Sequence, residues 1–345
     1  LKIPNSVRRV TRALLAFCIL GWLAHSVGFD QIRQQLTQAN VLMLLAATGL
    51  LALDGVAKAR NWQQLLKASV PDVRVRFRRV LNWFFAGGFV GAIVPSSAGT
   101  DACRVWMAMR GLGGHGAPSA ASILTVNCLG WFTGSLIGLI GVGLLAQSDS
   151  LPTLLKPAVL IFVGTLAVLP VAYGLLAAKR AWTEQMLDRM SRRSPKVRAG
   201  LAKFLDALLV FELAHVRMPV FLLVSAAGLL SQTGMFALTA AAVGLQLPFA
   251  VWMVLVPLTR LVALIPVSIA DFGLIQAAHV SVLALFGVPA SQSFALSALF
   301  AVEGLLIHST LGSTAFLLGG RKAAPPAAFD PAETRFSLDE PKSVR

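Results

Sequence analysis

"IVPSSAGTDACR" (Ile93–Arg104) ends an apolar run and turns abruptly small, polar and charged. The feature returns at Leu264–Gly273, "LIPVSIADFG": aliphatic, Pro, one residue, Ser, small residues, Asp. Both interruptions lie in a chain too apolar for a soluble domain. Of its 345 residues 56% are hydrophobic and 13% charged, with mean hydropathy +0.74. Ordinary soluble chains carry about 25% charged residues. Several apolar runs exceed the roughly 20 residues that cross a bilayer. The composition specifies an all-α polytopic membrane protein.

The net charge of +15 does not signal nucleic acid, because the cations cluster at the ends of apolar runs. There they act as topology signals and meet anionic headgroups. Arg8, Arg9 and Arg12 precede Ala13–Gly28, which reads as an uncleaved first span. Long runs follow at about Val41–Ala57, Pro118–Ala146, Thr153–Ala178, Met218–Gly244 and Ala290–Gly319. Two basic loops lie between them, 58–79 and 179–217, the second with an amphipathic stretch near Leu201–Leu213.

Charge distribution then constrains the topology. The N-terminus and both basic loops belong in the cytoplasm, while Asp30–Asn40 and Gln147–Pro152 face outward. Both ends of the segment between Arg79 and Pro118 must therefore lie inside. Val80–Val94 is apolar but stops at Pro95, and the return leg carries Asp101, Arg104, Arg110 and His115. A re-entrant hairpin over 80–116 satisfies these conditions. Irregular backbone survives at membrane depth only where protein or a wet cavity shields it. The same reasoning makes 250–288 a second hairpin, entering from the outside. Only Arg33, Lys156 and Arg260 then fall away from the inner side. The expectation is about six full spans plus two broken hairpins, or eight spans if the second pair crosses completely. Broken hairpins entering from opposite faces would form an inverted repeat of the kind transporters use. Residues 1–322 form one transmembrane domain, and the Pro/Ala-rich, charged stretch 323–345 reads as a disordered cytoplasmic tail.

No hydrolytic, nucleotide-binding or zinc-spaced motif is present, so no cofactor, metal or catalytic residue is expected. "GLGGHG" (Gly111–Gly116) has no preceding strand and reads as a turn. His279 and His308 lie in apolar runs and read as packed, hydrogen-bonded groups. The three cysteines, Cys18, Cys103 and Cys128, make no CxxC. Charges at membrane depth are more informative, since each costs roughly 2.5–3.5 kcal/mol or more unless paired. They are Asp54, Asp101, Arg104, Arg260, Asp271 and Glu303. Asp101 and Arg104 share a helical face if the return leg is helical. Arg260 and Glu303 are placed to pair across the bundle, and Asp54, near a span end, to snorkel to the surface. A helix starting near Thr100 or Asp101 would offer free N–H groups to an anion, with Ser96, Ser97 and Thr100 as hydroxyl donors. Arg104 would add a bidentate phosphate contact. The candidate substrate-binding set is Pro95, Ser96, Ser97, Gly99, Thr100, Asp101, Arg104, Arg260, Pro266, Ser268, Asp271 and Glu303.

These residues also carry a family resemblance. The order of basic N-terminus, "KARNWQQLL" (Lys58–Leu66), "VPSSAGTDACR", "IPVSIADFG" and "ALFGVPASQSFALSALF" (Ala284–Phe300) resembles the flippase-like transmembrane domain of lysylphosphatidylglycerol synthases and its stand-alone relatives. The resemblance covers roughly residues 8–320. It implies an inner-membrane protein associated with lipid translocation or with polyprenyl- and hopanoid-type lipid metabolism. The family's Pro-Ser-small-Asp-x-x-Arg pattern falls on Pro95, Ser96, Gly99, Asp101 and Arg104. Its Gly-Gly-x-Gly-x-Arg-Glu pattern is replaced by Ala270, Asp271, Phe272, Gly273, Leu274, Ile275 and Gln276. An Asp-Arg pair usual in the next span is replaced by Val126 and Asn127. The family's soluble aminoacyl-transferring domain has no counterpart here, so synthesis of lysylphosphatidylglycerol is not expected.

The functional expectation is a flippase-like lipid transporter of the cell inner membrane, with both termini cytoplasmic. Its candidate substrates are anionic phospholipids or polyprenyl-phosphate-linked lipids, and it has no nucleic-acid partner. The alternatives are an intramembrane enzyme, or a non-catalytic scaffold with protein partners in lipid or cell-envelope glycolipid biosynthesis.

Overall fold

The computed structural model describes residues 39–93, 97–147, 156–178, 218–263 and 274–320. The first apolar stretch, the 179–217 loop, the C-terminal tail and the candidates Pro95, Ser96, Pro266, Ser268 and Asp271 lie outside the described residues. The described part is entirely helical: α1 (Val41–Ser69), α2 (Phe77–Ile93), α3 (Ser97–Gly111), α4 (Gly116–Ala146), α5 (Lys156–Ala178), α6 (Met218–Ala242), α7 (Phe249–Val262), α8 (Leu274–Ala284) and α9 (Ala290–Gly320). Five of them, α1, α4, α5, α6 and α9, are long and apolar enough to cross a membrane. This is an all-α polytopic membrane protein.

α1 opens at Asn40, whose side chain accepts from the N–H groups of Leu42 and Met43 at 3.1 and 3.2 Å, a conventional N-cap. The helix then continues to Ser69, so residues 58–69 are not the loop that their Lys and Arg suggest. The reason lies on the opposite face. Trp62, Leu65 and Leu66 repeat at helical spacing and are fully or almost fully buried, while Arg60 and Lys67 stay exposed. Trp62 Nε1 donates to Ser122 Oγ of α4 at 3.0 Å, and Asn61 Nδ2 to Phe221 O of α6 at 3.0 Å. Gln63 Nε2 reaches Val75 O at 3.0 Å. "KARNWQQLL" is a clasp that ties three segments together.

Without a hydrophobic drive between helices in lipid, close approach through small residues holds a bundle together. α4 and α7 show it. A Cβ on Gly141 would lie 2.8 Å from Met253 Cβ and 2.9 Å from Ala250 O, and one on Gly134 3.2 Å from Pro257 Cβ. The two helices therefore run antiparallel. α7 starts beside the C-terminal end of α4 and stops near its middle, where Arg260 stands opposite Gly130. Ala250–Pro257 are all buried, so α7 is an inner helix, apolar all round.

α3 covers the other half of α4. Near its start Asp101 bonds to Asn127. It then runs back to Gly111, and the turn through Gly113 and Gly114, both at positive φ (70° and 97°), leads into α4. α3 begins at Ser97 rather than near Thr100 or Asp101, as the sequence suggests. Gly87 leaves room for that first turn, since a Cβ there would lie 3.3 Å from Thr100 O. The start of α3 and the end of α7 thus approach the middle of α4 from its opposite ends. At 1.5 Å per residue, α2, α3, α7 and α8, with 17, 15, 14 and 11 residues, all fall short of the roughly 30 Å hydrocarbon core.

Candidate functional site

Two groups of charged side chains meet at that level. In the first, Asp54 of α1 is 4% exposed. Its carboxylate accepts from Lys58 Nζ at 2.7 Å and from Arg260 Nη2 at 3.2 and 3.3 Å. The same Arg260 nitrogen donates to Gln232 Oε1 of α6. A Cβ on Gly228 would lie 3.3 Å from Asp54 Oδ1, so this glycine gives the carboxylate room against α6.

In the second group, Arg104 Nη1 donates to Asp101 Oδ1 at 2.9 Å, one turn away on α3. Arg104 Nε donates to Phe84 O at 3.2 Å, and its guanidinium lies 3.9 Å from the centre of the Phe84 ring. Gly87 makes this possible, because a Cβ there would collide with Arg104 Cγ. The other Asp101 oxygen accepts from Asn127 Nδ2 at 2.7 Å. Arginine is thereby held by a carboxylate, a carbonyl and an aromatic face, a set that lysine could not engage in the same way.

The groups form one electrostatic unit. Arg104 interacts with Asp54 and with Lys58, and His308 of α9 interacts with Arg104, Lys58 and Asp54. The His308 ring packs against Gly88 and lies 6.1 Å from the Phe85 ring. Its Nδ1 is buried without a hydrogen-bond partner among the described residues. Lys58, Arg104 and Arg260 face two carboxylates, Asp54 and Asp101, so the cluster holds an excess of positive charge.

Several expectations change. Arg260 pairs with Asp54 and not with Glu303, because the buried face of α7 brings it to α1 and α6. Glu303, 3% exposed, instead meets Thr239 Oγ1 at 2.8 and 3.0 Å. Asp54 does not snorkel, because α1 continues well beyond it and leaves it near mid-helix. Ser97, Gly99 and Thr100 stand in the first turn of α3, beside Asp101 and Arg104. His279 does bond within the bundle, its Nδ1 lying 2.7 Å from Ser297 Oγ.

Sequence reasoning missed Lys58, Gln232, Asn127 and His308 as members. The i, i+4 spacing of Asp54 and Lys58 was the available signal, and it was hidden by assigning Lys58 to a loop. Asn127 proves to be the partner of Asp101.

A family model described as the lysylphosphatidylglycerol synthase TM region matches residues 9–312. The chain belongs to this family. Membership makes it a lipid-related membrane protein, and the matched region takes in every residue of the cluster. Neither the curated proteins nor the solved structures give a significant match.

Proposed function

We propose that the protein moves lipids with anionic headgroups across the inner membrane, with both termini cytoplasmic. Anionic phospholipids and polyprenyl-phosphate-linked lipids are the candidate substrates. The observation that carries this reading is the cationic excess of Lys58, Arg104 and Arg260 at the level where α3 begins and α7 ends. A charge at that depth is costly unless paired, and the headgroup phosphate of a lipid would complete the pairing. The first turn of α3 adds backbone N–H groups next to Arg104. Hairpins that shift in turn would expose the cluster first to one leaflet and then to the other, with acyl chains remaining in the bilayer.

The test is movement of headgroup-labelled lipid in vesicles reconstituted with the full chain. Wild-type protein should equilibrate an anionic label between leaflets, and the Arg104→Ala/Arg260→Ala variant should not. Equal rates for both proteins would reject the site.

A further inference from the structure

The buried carboxyl of Glu303 takes no part in the charged cluster, and its surroundings suit a neutral acid. Thr239 Oγ1 lies 2.9 Å from Met235 O and 2.8 and 3.0 Å from the two Glu303 oxygens. A hydroxyl has one hydrogen, and a backbone carbonyl can only accept. Thr239 can donate to Met235 O and still bond Glu303 when the carboxyl is protonated and donates to Thr239 Oγ1. A neutral carboxylic acid at Glu303 satisfies every one of these contacts.

The helices packed against α9 bring no cation to Glu303 among the described residues. α6 offers Thr239 and has no titratable side chain, and α2 carries only Arg78 and Arg79, exposed at its start. Asp54 and Lys58 of α1 are engaged with each other and with Arg260. α8 brings His279, 2% exposed. With its Nδ1 at Ser297 Oγ, its Nε2 is buried without a partner among the described residues. The His279 ring lies 5.6 and 5.5 Å from those of Phe236 and Phe300, which stack on each other at 3.8 Å. Phe236 and Phe300 stand one turn before Thr239 and Glu303 on their respective helices. A carboxylic acid and an unpartnered imidazole nitrogen therefore border one aromatic stack, and the imidazole sits on the return arm of the second hairpin.

We propose that Glu303 is a proton-binding site that couples the lipid movement to a proton gradient. On release the Glu303 O–H bond breaks and the proton passes to water, leaving the carboxylate, and on uptake the same bond forms again. The coupling rests on the lipid-transport reading, whereas the protonated state of Glu303 does not.

The full chain is reconstituted in vesicles of phosphatidylethanolamine and phosphatidylglycerol that contain headgroup-labelled phosphatidylglycerol, and a pH gradient of one unit is imposed. With one proton per lipid, the wild-type protein drives an about tenfold asymmetry of label between leaflets. Glu303→Gln, which keeps the donor to Thr239, shows none. The coupling is overturned if Glu303→Gln responds to the gradient like wild type, or if wild type equilibrates the label without responding. A wild type that moves no label rejects the transport reading and the coupling together. Infrared spectra decide the proton site separately: a carboxylic-acid carbonyl band present in wild type and lost in Glu303→Gln supports it. Identical spectra for the two proteins overturn it.

Discussion

Arg260 and Asp54, 206 positions apart in the chain, meet in the middle of the bundle at 3.2 Å. This contact joins the C-terminal end of α7 to the middle of α1, the first described span. Lys58 donates to the same Asp54 Oδ2, at 2.7 Å, so Asp54 is the common partner of two cations from two helices.

Removing Asp54 should therefore harm the fold more than removing either cation. Asp54→Ala leaves two part-buried positive charges without their counter-charge, a loss of about 1–3 kcal/mol. The melting temperature in detergent reports it. Asp54→Ala/Arg260→Leu should recover part of the loss, since contacting residues couple by about 0.5–3 kcal/mol. Additive losses would mean that the pair does not interact.

Arg104→Lys keeps the charge but gives up the Nε bond to Phe84 O and the planar stacking on the Phe84 ring. Loss of a charged hydrogen bond costs about 1.5–3 kcal/mol, so the melting temperature in detergent should fall accordingly. A melting temperature equal to wild type in the lysine variant would show that positive charge alone suffices at this position.

Asn127→Leu removes the donor to Asp101 Oδ2 and leaves a carboxylate oxygen at membrane depth without it. The expected destabilisation is about 1–3 kcal/mol. Asn127→Asp should be worse, because it sets a second carboxylate against Asp101. Melting curves that rank the aspartate variant above the leucine variant would contradict the contact.

Gly141→Leu places a side chain where Met253 Cβ and Ala250 O already lie within 2.8 and 2.9 Å of a Cβ. Overpacking of this kind costs about 1–3 kcal/mol. Gly143→Leu, on the same helix with nothing within 4 Å, is the control and should be neutral. Equal effects at both positions would contradict the antiparallel contact of α4 and α7.

The opposed directions of the hairpins can be read by labelling. In a variant without native cysteines, His115→Cys lies in the turn that leads into α4, and Gln246→Cys in the connection that leads into α7. A membrane-impermeant maleimide should reach the two from opposite sides of the membrane. Reaction of both from one side would rule out the opposed arrangement.

The membrane class, the helical fold and the two interruptions were legible in the chain, because hydropathy and helix-breaking Pro and Gly are local properties. Asp101 and Arg104 were legible as a pair for the same reason: i, i+3 spacing on a helix needs no tertiary information. Lys58 was misread because a run of cations looks the same in a loop as on the outer face of a helix. Only the buried Trp62, Leu65 and Leu66 opposite it distinguish the two. The partners of Arg260 and Glu303 were beyond the sequence altogether. Which carboxylate an arginine meets depends on how α1, α6, α7 and α9 are rotated against one another, and that rotation is set by where glycines permit close approach. Sequence alone determined that this chain breaks two of its membrane segments. Tertiary packing decided that the start of α3 and the end of α7 approach one depth from opposite ends, and that Asp54 with Lys58, rather than Glu303, awaits Arg260 there.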